Sequence, residues 1–339
     1  MKAIVLRKSG GPEILKPMEV EETIPGRREV RVKTHFVGIN YADILSRKGL
    51  YGWAVKRPYI LGMEGSGVIE AVGEGVDPAR MGQKVMVGVQ YGTYAERIVV
   101  PEERAIPVME QFSMEESAAF LVNYMTAWVA LFPLAKLQPK DKVLITAAAG
   151  GVGTAAVQLA AKLGCKVYGM SGSREKVDLI KSLGATDGFN YREAECFEKL
   201  KAATGGVDVV LEMVGGDIFR RSFDLLNPFG RMVVAGFASL VDLKKWNPIS
   251  WLKIWKDIPR VKLSRVARKS VAVMATHIGH LLDEEPELLM RIYKDLKSFV
   301  NEHDIRPVIS RVFPFEEARA AHQFIESRKS TGKVLLRLD

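Results

Sequence analysis

Residues 142–164 are KVLITAAAGGVGTAAVQLAAKLG, and this stretch decides the fold. Its first part, KVLITAA, is a continuous apolar run, which is typical of a strand buried on both faces of a parallel sheet. Its last part has the pattern of a helix that ends at Gly164. Between them, Gly151, Gly153 and Ala156 fit the G-x-G-x-x-A form of a dinucleotide-binding turn. The stretch therefore predicts a strand, a tight turn and a helix.

The turn itself supplies the predicted phosphate-binding residues, Gly150, Gly151, Val152 and Gly153. One glycine permits the tight turn, and the next lets the backbone approach a pyrophosphate. The helix that follows offers unpaired N–H groups and a partial positive charge to the phosphates. A tight turn without a ligand is the alternative interpretation. The strand before the turn and the helix after it favour nucleotide binding.

The end of the next predicted strand indicates which dinucleotide is bound. NAD-specific sites usually place Asp or Glu there, to bind the ribose hydroxyls. This chain has Ser171, Ser173, Arg174 and Lys176, whose hydroxyls and cations suit a 2′-phosphate, while Glu175 lies one position further into the helix. We therefore expect NADPH. The alternative is that Arg174 and Lys176 are solvated charges in a first helical turn, where cations are disfavoured.

Outside this stretch the chain shows two kinds of pattern. Strands and helices alternate from residue 141, which predicts an α/β domain over residues 123–299 with a doubly wound parallel sheet, the Rossmann architecture. Residues 1–122 contain short strands rich in Val and Ile, and residues 300–339 return to such strands. Ser113 and Glu116 form a capping box before one apolar helix, or two with a break. The predicted architecture is an α/β domain inserted in a β-rich domain.

Composition narrows the class of protein. With 47% hydrophobic and 26% charged residues, the 339-residue chain has ordinary globular values. No apolar run approaches the roughly 18 residues of a membrane span, and the N-terminus lacks the features of a signal peptide, so a cytoplasmic location is expected. The two cysteines, Cys165 and Cys196, are too few for a disulfide framework or a four-thiolate zinc site.

The net charge of +9 is concentrated in a basic, tryptophan-rich insertion over residues 239–270. Nine Lys or Arg and two Asp between residues 240 and 270 contribute +7, so the rest of the chain is nearly neutral and we expect no nucleic-acid partner. On a helical wheel, Trp251 and Trp255 share an apolar face opposite lysines. Two interpretations stay open: a lid, packing or dimer helix, and a peripheral contact with an anionic membrane.

Several motifs in chain order resemble the medium-chain dehydrogenase/reductase superfamily, specifically its zinc-free quinone oxidoreductase branch. They are N-x-x-D-x-x-x-R-x-G-x-Y from Asn40 to Tyr51, GMEGSGV at 62–68, NYMTAW at 123–128, DVVLEMVGG at 208–216 and GKVLL at 332–336. The resemblance covers essentially the whole chain and implies a GroES-like fold for the β-rich domain. The NYMTA segment and the basic insertion resemble in particular the synaptic-vesicle amine-transport membrane protein homologues.

Zinc-dependent members of that superfamily hold their metal with Cys, His and Cys. The matching positions here are Asn40, Met63 and Asn123, none of which is a good Zn²⁺ ligand. His277 and His280 follow a predicted core strand and have no cysteine near them in the sequence. We therefore expect no metal.

The resemblance implies a zinc-independent, NADPH-dependent oxidoreductase, forming a homodimer, that reduces quinones or α,β-unsaturated carbonyls. It places Asn40, Tyr41 and Tyr51 near the nicotinamide, with Tyr51 as candidate proton donor and Asn40 as the residue that orients the substrate. A loop aromatic without a chemical role is the other interpretation of Tyr51. We expect Asp43 and Arg47 to form an i,i+4 pair. The further cofactor contacts that the resemblance implies are Thr126, Tyr191, Gly236, Phe237 and Lys333.

An alternative function also stays open. The chain is then an NADPH-binding protein that associates with a membrane or a partner and has weak or no catalysis. An acceptor screen and a liposome-binding assay distinguish the two functions.

Overall fold

A computed structural model describes residues 1–236 and 260–338, and the chain separates into two compact units. The first unit contains Met1–Val122 and Arg306–Asp339, and the second contains Asn123–Ile305. The chain returns to the first unit at Arg306 and not at residue 300, because a helix of the second unit continues through that position.

The described residues form the following strands and α-helices. The strands are β1 Lys2–Leu6, β2 Pro17–Glu19, β3 Glu29–Ile39, β4 Tyr59–Ile60, β5 Glu64–Val72, β6 Lys84–Gly88, β7 Arg97–Pro101, β8 Ala105–Pro107, β9 Lys142–Ile145, β10 Lys166–Ser171, β11 Asp187–Asn190, β12 Val207–Glu212, β13 Leu226–Val234, β14 Ala272–Ala275, β15 Ile309–Pro314 and β16 Lys333–Arg337. The α-helices are α1 Tyr41–Lys48, α2 Met114–Ala118, α3 Leu121–Val129, α4 Gly151–Lys162, α5 Arg174–Ser182, α6 Cys196–Thr204, α7 Gly216–Asp224, α8 Leu263–Lys269, α9 Ile278–Glu284, α10 Pro286–Glu302 and α11 Ala318–Glu326.

The first unit is built on two sheets. A seven-stranded sheet has the order β15-β16-β3-β5-β6-β8, with β7 also paired to β3, and a small sheet has the order β2-β1-β4. Strand β16, from the end of the chain, lies between β15 and the early strand β3, antiparallel to β3. Apolar side chains from both ends of the chain, among them Ile4, Val37 and Leu336, share one buried core.

The second unit is built on a six-stranded sheet with the order β11-β10-β9-β12-β13-β14, in which every pairing is parallel. This is the strand order of a doubly wound dinucleotide-binding fold, so the prediction of a Rossmann sheet is confirmed. Its central strands bury residues on both faces, as Val143, Leu144 and Ile145 do in β9. That burial explains the continuous apolar runs in the sequence.

The apolar segment after Ser113 forms two helices with a break. The Ser113 side chain accepts the Glu116 N–H at 3.1 Å, and the Glu116 carboxylate accepts the Ser113 N–H at 2.8 Å, so the capping box is present at α2. Helix α3 starts after the break and ends in a π-helical turn, Ala130–Leu134, that contains Pro133. No helix in residues 1–236 or 260–338 combines the length and apolar character that crossing a bilayer needs.

Candidate functional site

The glycine turn lies at the carboxyl end of β9, where the strand order of the sheet reverses between β9 and β12. Gly150 donates its N–H to Ala147 O at 2.9 Å, and Ala147 has a positive φ of 48°. A Cβ at Gly153 would lie 2.3 Å from Ala147 O, so only glycine fits there. Helix α4 starts at Gly151, and the N–H groups of its first turn have no acceptor within the helix. The turn can therefore hold an anion.

A second polar group lies where β10 ends. Tyr191 follows β11 and donates its N–H to Ser171 O at 3.0 Å. A Cβ at Gly172 would lie 2.6 Å from Tyr191 Oη, so the phenol lies directly against this turn. Ser173 caps α5 by accepting the Lys176 N–H at 3.4 Å. Arg174, the first residue of α5, is exposed beside them. The residues predicted to bind a 2′-phosphate therefore lie together at the end of one strand.

Glu175 lies at the same helix start. A hydrogen bond from the Ser173 side chain, followed by backbone hydrogen bonding, lowers the pKa of the Glu175 carboxyl. Glu175 is therefore an anion that is engaged with its own helix cap, next to two cationic residues.

Asn123 is a candidate that the sequence analysis did not place in the cofactor site. A Cβ at Gly151 would lie 2.6 Å from Asn123 Nδ2, so the amide contacts the glycine turn through space that glycine leaves. Asn123 and the predicted contact Thr126 are both buried on α3. The signal in the sequence was the NYMTAW motif, but a motif does not show which of its side chains reaches the turn.

Glu212 is a second residue that sequence reasoning missed. It ends β12, is fully buried, and its Oε1 accepts the N–H groups of Val214 and Gly215, each at 2.6 Å. The Met213 N–H donates to Thr146 Oγ1 at 2.9 Å, and Thr146 directly follows the neighbouring strand β9. Burial raises the pKa of Glu212 to about 7, although the two backbone hydrogen bonds act in the opposite direction and lower it. The predicted residue Gly236 lies against Met213, because a Cβ there would be 3.6 Å from Met213 O.

In the first unit, Asn40, Glu64 and Lys333 form a buried polar cluster. The Lys333 ammonium donates to Asn40 Oδ1 at 2.6 Å and to Glu64 Oε1. Glu64 Oε2 accepts the Val122 N–H at 3.0 Å. The predicted cofactor residue Lys333 is therefore inside the first unit and bonded to the predicted substrate residue Asn40.

Asn40 also begins α1, the helix on which Tyr41 is the first residue. Its backbone N–H donates to Asp43 Oδ2 at 2.7 Å, so Asp43 serves the helix cap. The predicted Asp43–Arg47 pair is wrong: fully buried Arg47 pairs with Glu326 of α11 at 2.9 Å. The reason is tertiary packing, because a buried guanidinium needs a carboxylate and α11 provides one that reaches it.

Tyr51 is half-buried, three residues after α1, with its ring 6.4 Å from the ring of Trp53. Burial and then the negative charge of Asp43 raise the pKa of the Tyr51 phenol. Tyr51 therefore keeps its proton at neutral and moderately alkaline pH and can act as a donor. The predicted cofactor contact Phe237 and the tryptophans of the basic insertion lie outside the described residues.

The sequence matches two family models. Residues 26–110 match the alcohol dehydrogenase GroES-like domain, and residues 151–294 match a model described as zinc-binding dehydrogenase. The chain is 34% identical over 340 residues to a rat (Rattus norvegicus) synaptic vesicle membrane protein VAT-1 homolog, covering 99% of this chain and 84% of the relative. It is 35% identical over 332 residues to a cattle (Bos taurus) quinone oxidoreductase-like protein 2, covering 96% and 90%.

A solved structure is also similar to this chain over both of its units. The crystal structure of Escherichia coli quinone oxidoreductase complexed with NADPH superimposes with a TM-score of 0.87 at 30% identity and covers 100% of both chains. The similarity extends over both units, so it includes the GroES-like and the dinucleotide-binding parts.

The residues of this chain do not fit the zinc that one model description names. The positions that match zinc ligands hold Asn40, Met63 and Asn123, an amide, a thioether and an amide. The Asn40 oxygen is bonded to the Lys333 ammonium, and a second cation bound to that oxygen would be repelled by it. Across residues 1–236 and 260–338 there is no group of three or more His, Cys, Asp or Glu that could hold a metal.

Proposed function

Because this chain belongs to the medium-chain dehydrogenase/reductase superfamily and is quinone oxidoreductase-like within it, we propose that it reduces quinones or α,β-unsaturated carbonyl compounds with NADPH. The observation that carries this proposal is the pairing of two features in the second unit: the glycine turn at β9, and the group of Ser171, Ser173, Lys176 and Tyr191 at the end of β10.

The two features divide the work of binding the dinucleotide. The N–H groups at the start of α4 bind the pyrophosphate, and Gly150, Gly151, Val152 and Gly153 allow it to approach the backbone. Arg174 and Lys176 bind the 2′-phosphate by charge-assisted hydrogen bonds, with Ser171, Ser173 and Tyr191 as neutral donors. The complexed Escherichia coli enzyme supports NADPH as the ligand.

The chain's own groups provide the acid chemistry of the reduction. Bound NADPH supplies the hydride. Negative charge then develops on the carbonyl oxygen of the acceptor, and a neutral amide and a phenol can stabilise it by donating hydrogen bonds. Asn40 is the proposed amide donor and orienting residue, Tyr41 lines the same end of α1, and Tyr51 is the proposed proton donor. Because the pKa of the Tyr51 phenol is raised, the phenol is protonated when the acceptor binds and has a proton to donate.

The function is tested with purified protein, NADPH and a panel of quinones and enones, by following NADPH oxidation at 340 nm. We expect turnover with at least one acceptor class, and the same rate after treatment with a chelator. Tight NADPH binding without turnover on the whole panel would reject the enzyme function and favour the alternative below. Loss of activity on chelation, restored by zinc, would reject the metal-independent chemistry.

One alternative, an NADPH-binding protein that associates with a membrane, is favoured by the similarity to a synaptic vesicle membrane protein homolog and by the basic, tryptophan-rich composition of residues 239–270. The described part of this segment includes α8, which carries Arg265, Arg268 and Lys269, and its first residue Leu263 is 84% exposed. The test is sedimentation with anionic and with neutral liposomes. Binding to anionic liposomes that is lost in Trp251→Ala plus Trp255→Ala supports membrane contact; no binding at low salt rejects it.

A further inference from the structure

The register of three neighbouring strands brings three polar side chains to one place. In the pairing of β16 with β3, Val334 is opposite Ile39, which puts Lys333 opposite Asn40. In the pairing of β3 with β5, Gly38 is opposite Glu64. All three residues are buried: Asn40 is 5% exposed, Glu64 is 1% exposed and Lys333 is 2% exposed. A lysine this deeply buried needs a specific reason, because its desolvation is costly unless its charge is paired.

The space for the lysine is provided by a glycine. A Cβ at Gly38 would lie 2.8 Å from Lys333 Cε and 2.9 Å from Glu64 Cγ. The Lys333 stem therefore runs against bare backbone, and its ammonium ends between Asn40 Oδ1 and Glu64 Oε1. Because the other Glu64 oxygen is engaged by the Val122 N–H, the carboxylate is fixed on two sides.

The direction of these bonds determines what Asn40 can do. An ammonium can only donate, so the Asn40 atom that faces Lys333 is the amide oxygen. The amide nitrogen has two hydrogens, and one is donated to Gly38 O at 3.3 Å. Because the ammonium holds the oxygen on the Lys333 side, we expect the side chain to present its remaining N–H to a ligand. A cation bound to the oxygen also draws electron density from the amide, which strengthens that N–H as a donor.

We propose that Lys333 is a positioning residue that fixes and polarises the Asn40 amide as a hydrogen-bond donor to the carbonyl oxygen of the acceptor. This inference rests on the proposed function. Glu64 holds the ammonium in place, and the positive charge one hydrogen bond behind the amide favours the negative charge that develops on the acceptor. Lys333 thus acts through Asn40 and does not contact the cofactor.

The test compares Lys333→Met with the double variant Lys333→Met plus Glu64→Gln. The double variant removes both buried charges, and its Gln can still accept the Val122 N–H, so it restores folding if the single variant is unstable. Lys48→Met is the matched control. Lys48 is the last residue of α1, the helix that begins after Asn40, and its ammonium pairs with Glu326 at 2.9 Å and not with Asn40.

We expect kcat to fall about 10- to 100-fold in both Lys333 variants, less than for loss of a whole oxyanion donor, with the Kd for NADPH unchanged. The double variant should recover the melting temperature without recovering kcat. Lys333→Arg, which keeps a cation, should retain part of the activity, and Lys48→Met should keep the wild-type kcat.

Three results would overturn the inference. If the double variant recovers kcat together with its melting temperature, Lys333 is only structural. If Lys333→Met weakens NADPH binding tenfold and leaves the single-turnover hydride rate unchanged, Lys333 is a cofactor residue. If the wild-type protein turns over no acceptor, the proposed function itself is rejected. This outcome differs from the first two because it is measured on the wild-type protein, before any variant is made.

Discussion

The carboxylate of Glu212 accepts the backbone N–H of Gly215 at 2.6 Å, so the last residue of β12 holds the loop that leads into α7. The same oxygen accepts the Val214 N–H. Because β12 is the neighbour of β9 in the sheet, these hydrogen bonds lie at the strand end next to the glycine turn. This carboxyl group is internal to the second unit and fully buried, which couples its protonation to folding.

The stability of the protein should fall with rising pH because of Glu212. Burial raises its pKa from 4.5 to about 7 in the folded protein, so the folded state binds the proton more tightly than the unfolded state. The stabilisation is complete below pH about 4.5 and is lost as the pH rises through about 7, and it amounts to about 3 kcal/mol. Urea denaturation of wild type and Glu212→Gln at pH 5 and pH 8 measures it.

The Glu212→Gln variant should lose a smaller free energy of unfolding between these two pH values than wild type does. Some dependence should remain, because burial also raises the pKa of Asp43 to about 7, which acts in the same direction. Glu103→Gln, at an exposed position, is the control. An equal pH dependence in Glu212→Gln and wild type would contradict the assignment.

Arg174→Ala plus Lys176→Ala should weaken NADPH binding about 100-fold and NADH binding by less than about threefold, since only NADPH carries the 2′-phosphate that the cations bind. Fluorescence titration of each coenzyme gives the two dissociation constants. Lys181→Ala is a control on the same helix, because Lys181 lies in the last turn and pairs with Asp187. Equal losses for both coenzymes would remove the 2′-phosphate assignment.

Tyr51→Phe should lower kcat about 100-fold and leave the Kd for NADPH unchanged, because the phenol donates a proton to the acceptor and not to the coenzyme. Burial and Asp43 raise the pKa of Tyr51, so wild-type kcat should show no loss from deprotonation of this phenol up to pH 10. Tyr91→Phe, at an exposed tyrosine of the same unit, is the control. A Tyr51→Phe enzyme with wild-type kcat would leave Tyr51 as a loop aromatic only.

Glu326→Ala should destabilise the first unit by about 3 kcal/mol, because it leaves the fully buried Arg47 guanidinium without a carboxylate. The midpoint of urea denaturation measures this loss. The exposed pair Lys199–Glu193 provides the comparison, and Glu193→Ala should leave the midpoint unchanged. A Glu326→Ala midpoint equal to that of wild type would show that Arg47 has another partner.

Local pattern was enough to predict the glycine turn and the capping box at Ser113, because each depends on residues close together in the sequence. The repeated alternation of strands and helices predicted the parallel sheet, although its strands pair over long distances in the sequence. The partners of Arg47 and Lys333 could not be predicted in this way. An i,i+4 rule points Arg47 to Asp43, whereas its carboxylate comes from α11. Lys333 meets Asn40 and Glu64 only through strand register, which depends on the packing of the whole sheet.

Helix α10 and the role of Glu212 are further examples. Helix α10 is not among the predicted elements, although Leu289, Tyr293 and Leu296 have the spacing of one helix face and are buried. Glu212 looks like one more charged residue at a strand end, and its burial under two N–H groups is visible only in three dimensions.

The position of β16 between β15 and β3 has a consequence for synthesis on the ribosome. Residues 29–39 emerge early, but one of their neighbouring strands is formed by residues 333–337, after the complete second unit has been made. The second unit can therefore fold while the nascent chain is still growing. The seven-stranded sheet cannot be completed until β16 has been synthesised, and until then the edge of β3 that pairs with β16 is unpaired. During that interval the edge of β3 is where chaperones would be needed and where misfolding would begin.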